Sequence, residues 1–218
     1  MEVTVDDAVP ASDRVYSAIR RGLIEGRFIP GRSVTLRGLA ADLAVSPMPV
    51  RAAVTRLVAE RALAISETRR VSVPALSIET LNELMQARLV LEPEAAARAL
   101  PYLSASRLVD LREHDLRLER CLATGDVGGY MAANHDFHFA IYTAAPSAVF
   151  TPLIEQLWLQ FGPFMRVVYG RVGTARLIDQ HEEAMRAIDT GNEHGLRAAI
   201  AADIRDGMTI IAKAMAEG

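Results

Sequence analysis

A second cysteine is missing from this chain. Cys121 stands alone, so no intrachain disulfide can form and packing must hold the fold. Long apolar runs are missing as well. Half of the 218 residues are hydrophobic, yet no stretch approaches the roughly 20 apolar residues of a membrane span. The stretch from Met1 to Ser12 is acidic and rich in small residues, unlike a secretory leader. These absences lead to the expectation of a soluble, cytoplasmic protein with no membrane partner. An overall positive charge is absent too: 24 basic against 27 acidic residues leave −3. Taken whole, that balance argues against a nucleic-acid partner.

The distribution of charge reverses the argument. From Arg14 to Ala75 there are 11 arginines and 4 acids, a net of +7, whereas Leu76 onward carries 13 basic and 19 acidic residues, a net of −6. One half suits a phosphate backbone and the other does not. The length fits two small domains, each large enough for its own core.

The basic segment contains the most informative pattern. Leu36, Leu39, Ala40 and Leu43 follow a helical period, as do Val50, Val54 and Leu57, with room only for a turn at Ala44-Val45. Two helices so joined must cross steeply and bury those faces together. Ser46 is placed to cap the second helix, and Pro47 and Pro49 fall in its first turn, where amides have no intrahelical acceptor. Met48, Arg51, Thr55 and Arg56 form the leftover face, as on a DNA recognition helix. The plainer alternative is a two-helix corner of any all-α protein.

Around this motif, a first helix is expected from Asp13 to Glu25, ended by Gly26, with a short strand at Arg32-Ser33-Val34. Leu63-Ala64-Ile65 and Val71-Ser72-Val73 alternate like strands about a bend at Glu67-Thr68-Arg69-Arg70. Three helices and a ribbon make a winged helix-turn-helix, with Arg69 and Arg70 at the wing tip and Arg37 as further candidate anchors. After Ser77 everything reads as helix: 78–100, 104–124, 127–144, 149–172, 174–190 and 193–216. The fold class is therefore mainly α, a winged helix-turn-helix followed by an all-helical bundle. Residues 1–75 form the first domain, with 1–12 as a flexible tail, and residues 76–218 form the second.

Several polar residues of the second half fall on apolar helical faces. Asn134 and His138 share one with Met131, Ile141 and Tyr142; His181 shares one with Ile178, Met185 and Ile188; Asp203 lies among Leu196, Ile200, Gly207 and Ile210. A carboxylate in an apolar stripe must find a cation, a donor or a metal. Two imidazoles, a carboxylate and an amide oxygen would suit one divalent metal, zinc first, with nickel, manganese or iron as other fits. The alternatives are hydrogen-bonded core histidines and an Asp203 paired with Arg88 or Arg205. His135 and Asp136 point to other faces, and His114 and His194 sit among charges. Arg88 shares a face with Leu81, Leu84, Met85, Leu91 and Ala95. It can hold a carboxylate through two parallel hydrogen bonds, or pair with Glu92 one turn on.

Together these residues resemble the GntR family of bacterial transcription regulators, in the branch with a FadR-type helical FCD domain. Ile24-Glu25-Gly26, Pro30-Gly31, Leu39-Ala40 and Val45-Ser46-Pro47-Met48-Pro49-Val50-Arg51 occur in the family's order. The family usually has an arginine at Pro47 and a glycine at Arg70. Its D-x-x-F-H pattern corresponds to Asn134-His135-Asp136-Phe137-His138, and His181-Glu182-Glu183-Ala184-Met185 resembles the segment of a second metal histidine. The resemblance implies that Asn134 replaces the family's aspartate and Asp203 its third histidine. The set keeps one carboxylate, moved to another helix. It also implies that Arg88 receives an effector's carboxylate.

The function expected is a ligand-responsive transcription regulator, a repressor rather than an enzyme. It would bind double-stranded operator DNA as a homodimer and sense a small carboxylate. The rivals are a regulator with a metal-free pocket and a metalloenzyme in a helical scaffold. No nucleophile or general base accompanies the cluster, and the enzyme reading leaves the basic half unexplained.

Overall fold

The computed structural model describes residues 9–172 and 180–216. Three helices and a small sheet form the basic half: α1 (Ala11–Ile24), β1 (Val34–Thr35), α2 (Leu36–Asp42), α3 (Pro47–Ala59), β2 (Ala64–Ile65) and β3 (Arg70–Ser72). Helix α1 starts at Ala11, so the last two residues of the expected tail are helical. Its end is set by Gly26, whose φ of +67° suits glycine. The wing gains a third strand. In the antiparallel order β1-β3-β2, Val34 faces Val71 and Thr35 faces Arg70. The short segment before α2 is thus spliced into the ribbon.

Thr35 ends β1 and caps α2, accepting the Gly38 amide at 2.9 Å. The turn between α2 and α3 places Ala44 at φ +54°. Ser46 has the extended backbone of an N-cap, but its hydroxyl accepts no capping bond. The reason is local. Pro49 stands three residues on, where a capping hydroxyl would find one of its usual donors, and proline has no N–H.

The second half has helices and connecting turns but no strand among its described residues: α4 (Ile78–Ala99), α5 (Ala105–Thr124), α6 (Val127–Tyr142), α7 (Phe150–Val172), α8 (His181–Asp189) and α9 (Glu193–Ala216). Ser77 and Asp126 cap α4 and α6 through the amides of Thr80 and Gly129. Gly125, at φ +70°, ends α5. Thr174 and Ile178, expected at the start of the fifth bundle helix, lie outside the described residues.

Two buried clusters result. Val15, Ile19, Leu23, Val50, Val54, Leu57 and Val71 fill the first, and Leu159 of α7 inserts into it from the bundle. The second is built on Leu81, Leu111, Phe137, Trp158, Phe161, Ile200 and Ile204. Among the described residues no helix is long and apolar enough to cross a membrane.

Candidate functional site

On α3, Val50, Ala53, Val54 and Leu57 face the core. Met48 is 80% exposed, and Ser46, Arg51 and Thr55 are exposed beside it, as is Arg37 on α2. Arg56 is exposed on the outer face read from the sequence, and it also reaches back to α1. Its guanidinium lies 3.7 Å from the centre of the Tyr16 ring and 3.7 Å from Asp13, binding α3 to α1. Periodicity placed it outward, but a long side chain can fold back along the surface. In the wing, Arg69 occupies the turn at φ +58°, while Arg70 begins β3 and donates from Nε to Ser33 at 3.2 Å. Arg69 is exposed at the bend. Arg70 is partly committed to the strand beside it.

In the bundle the anomalies converge. One ligand atom each from His138 of α6, His181 of α8 and Asp203 of α9 lie within 4.8 Å of one another. His138 is fully buried and His181 nearly so, while the Asp203 side chain keeps 16% exposure. Nε2 of His138 sits 3.1 Å from Oδ2 of Asp203, yet makes no well-directed hydrogen bond. Burial works to raise the Asp203 carboxyl, but the close approach of the His138 imidazole, with His181 and Arg88 nearby, brings it down to about 2. The carboxylate is held ionised. An imidazole nitrogen and a carboxylate oxygen, buried together and aimed at each other, fit a shared cation. Asn134 is buried one turn before His138 and lines a cavity with Arg88 and Asp203.

Two acids lie behind this cluster, one of them, Asp115, not singled out from the sequence, and the other, Glu92, read there only as a helical partner of Arg88. Asp115 of α5 takes the other nitrogen of His181, Nδ1 to Oδ1, at 2.9 Å. A signal existed, since Asp115 falls on the stripe of Leu111 and Leu118. Glu92 of α4 is fully buried and ringed by donors. Arg88 gives it Nε at 2.6 Å and Nη2 at 3.3 Å, Trp158 gives Nε1 at 3.2 Å, and Tyr142 gives its hydroxyl at 2.8 Å. Arg88 thus makes the intrahelical pair that the sequence offered as the alternative, and still lines the cavity beside Asn134 and Asp203. Its guanidinium stacks 4.0 Å from the Phe161 ring centre. Tyr130, Trp158, Met165 and Tyr169 supply much of the remaining wall.

Helix α7 has two working faces. Trp158, Phe161, Met165 and Tyr169 line the cavity. The other face meets the basic half. Glu155 pairs with Arg20 at 2.9 Å, and a side chain at Gly162 would come 3.4 Å from the Leu23 carbonyl oxygen. A side chain at Gly26 would overlap Arg166. Between α1 and the bundle lies a second, polar cavity of about 450 Å³, lined by residues including Arg20, Arg21, Arg117, His135 and Asp136. His135 stacks on Phe139 and Asp136 pairs with Arg117, away from the histidine cluster as their helix faces imply.

Comparisons with known proteins follow this division. The FCD domain model matches residues 83–206, more than half of the chain. The model described as bacterial regulatory proteins, gntR family, matches residues 11–73. The HTH-type transcriptional regulator McbR of Escherichia coli K12 is 28% identical over 201 residues, 91% of either chain. An uncharacterized HTH-type regulator of Paraburkholderia xenovorans, BphR, is 25% identical over 180 residues, 80% of this chain and 74% of that protein. The solved structure of E. coli McbR/YncC superposes with a TM-score of 0.89 at 27% identity, covering 95% of this chain and 99% of that one. A GntR regulator from Rhodococcus shares the fold, with a TM-score of 0.75 at 24% identity, covering 93% of this chain and 98% of that one. These relatives and both domain matches are those of transcription regulators, not of enzymes.

Proposed function

Since this chain belongs to the FCD-bearing branch of the GntR family and is a transcriptional regulator of that type, we propose that it is a repressor responding to a small organic acid bound at a metal centre. Residues 1–75 act as the DNA-binding domain and 76–218 as the sensing and dimerisation domain. A homodimer presents two α3 helices to a pseudo-palindromic operator, because one helix covers too few bases for specificity. Arg51, Thr55, Met48 and Ser46 face the groove, while Arg37, Arg69 and Arg70 hold the backbone.

The observation that carries the sensing half is the grouping of His138, His181 and Asp203 within 4.8 Å. These three would hold the ion, with Asn134 beside them. Zinc suits two imidazoles and an oxygen, and nickel, manganese and iron also accept this set. When bound, the metal supplies a Lewis-acidic position for an oxygen of the acid. With Asp203 and Asp115 a divalent ion is balanced to zero, and Arg88 with Glu92 also cancels, so the acid would be held by direct contact with the ion and the Arg88 guanidinium rather than by net charge. The aromatic wall suits an acid with an apolar body. Trp158 and Phe161 would carry the ligand's presence along α7 to the α1 contacts at Glu155, Leu159 and Gly162. The acid changes operator affinity by preferring one arrangement of the two halves.

Elemental analysis of untagged protein tests the centre, and operator titration with candidate acids tests the response. One equivalent of metal per chain is expected. A metal-free protein whose melting temperature ignores zinc, nickel and manganese overturns the metal, leaving Arg88 to hold the acid alone. Operator affinity that none of the acids changes overturns the sensing role.

A further inference from the structure

A chain of hydrogen-bonding contacts joins the two sides of the sensing site. Glu92 accepts the Tyr142 hydroxyl at 2.8 Å, and Nδ1 of His138 lies 3.0 Å from that same oxygen. All three groups are buried. A carboxylate has no proton to give, so the single hydroxyl proton of Tyr142 is directed to Glu92. The tyrosine oxygen can then only accept from His138, which places the ring proton on Nδ1. A neutral imidazole so arranged turns its lone pair, on Nε2, toward Asp203, which lies 3.1 Å away.

We propose that Glu92 and Tyr142 are positioning residues for metal binding: together they select the His138 tautomer that can ligate. This rests on the reading of the His138, His181 and Asp203 cluster as a metal centre. Neither residue touches the ion. Glu92 acts only through Tyr142, and Tyr142 only through the ring nitrogen that faces away from Asp203. With glutamine at position 92, the amide can donate to the tyrosine oxygen and free its hydroxyl to point at Nδ1. The imidazole then carries its proton on Nε2 and cannot ligate there. His181 has a parallel support, its Nδ1 facing Asp115 at 2.9 Å. The Tyr142 relay differs because its polarity is set one residue further out, on the arginine side of the cavity.

The test is a zinc-affinity cycle on the full-length protein, measured against a chromophoric chelator. Tyr142→Phe and Glu92→Gln should each lower zinc affinity about ten- to a hundredfold, the usual effect of losing a metal ligand's supporting partner. The double variant should lose no more than the weaker single variant, because Glu92 has no route to His138 without the hydroxyl. Ile141→Val, a core change on the same helix, should lower stability and leave zinc affinity alone. Additive losses, or single variants with wild-type affinity, overturn the relay while leaving the metal centre standing. A wild type that binds no zinc, nickel or manganese overturns the centre and the relay with it. If Glu92→Gln does not fold, Tyr142→Phe decides, and a loss below threefold overturns the inference.

Discussion

Arg88 and Glu92, one helical turn apart on α4, form a buried ion pair, with Nε 2.6 Å from Oε1 and the carboxylate fully enclosed. This is not the exposed helical pair that contributes a few tenths of a kcal/mol. Glu92 also takes the Trp158 and Tyr142 protons, so one carboxylate ties α4 to α6 and α7. The arginine that faces the cavity is held by the same group.

Removing that carboxylate should be costly. Glu92→Ala leaves a buried guanidinium, an indole N–H and a hydroxyl without their acceptor, and should destabilise the protein by about 3–5 kcal/mol. Denaturant unfolding measures it. A loss under about 1 kcal/mol would mean that water or a rearranged partner satisfies Arg88.

Two arginines of α3 should behave differently. Arg51 is exposed and directed away from the core, so Arg51→Ala should weaken operator binding by about 1–3 kcal/mol with little effect on melting. Arg56 covers Tyr16 at 3.7 Å while staying exposed, so Arg56→Ala should lower stability by about 0.5–1 kcal/mol through lost cation–π contact. Gel-shift titration and thermal melting of both variants separate the roles; equal effects on DNA binding would give Arg56 a part in the DNA interface.

The close approach at Gly162 gives a test of the docking between halves. A Cβ there would already be in van der Waals contact, 3.4 Å from the Leu23 carbonyl oxygen, so the two further methyls of a valine must find room against the α1 backbone. Gly162→Val should retain metal while its calorimetric unfolding separates into two transitions, one for each core. One transition at the wild-type temperature would show that the seam adapts without cost.

Tyr16 gives a pH signature for the first core. Burial and its hydrogen bond to Glu60 push the phenol up to about 12, above its ordinary value of 10.0. A raised folded-state value means that the folded protein keeps a proton which the unfolded chain loses. That contribution is complete below pH 10 and is lost as pH rises toward 12. Tyr16→Phe should flatten this alkaline loss in melting curves taken between pH 9 and 12. An unchanged alkaline slope would assign the loss to other groups.

Local rules made much of this protein legible in its sequence. Helical period set the buried faces of α2 and α3, glycines at 26 and 125 ended their helices, and alternation marked the wing. The same periodicity exposed His138, His181 and Asp203, because a polar side chain on an apolar stripe breaks a pattern only one or two turns long. Tertiary structure alone decided what those side chains meet. Glu92 reaches Tyr142 and Trp158, 50 and 66 residues on, and Asp115 meets His181 across another 66. Arg56 turned toward Tyr16 for a like reason, since the ring belongs to a different helix. Periodicity states which face of a helix is buried, and is silent on which helix lies against it. Those pairings follow from how six helices pack into one core, where side-chain volume and the need to satisfy every buried charge select a single arrangement.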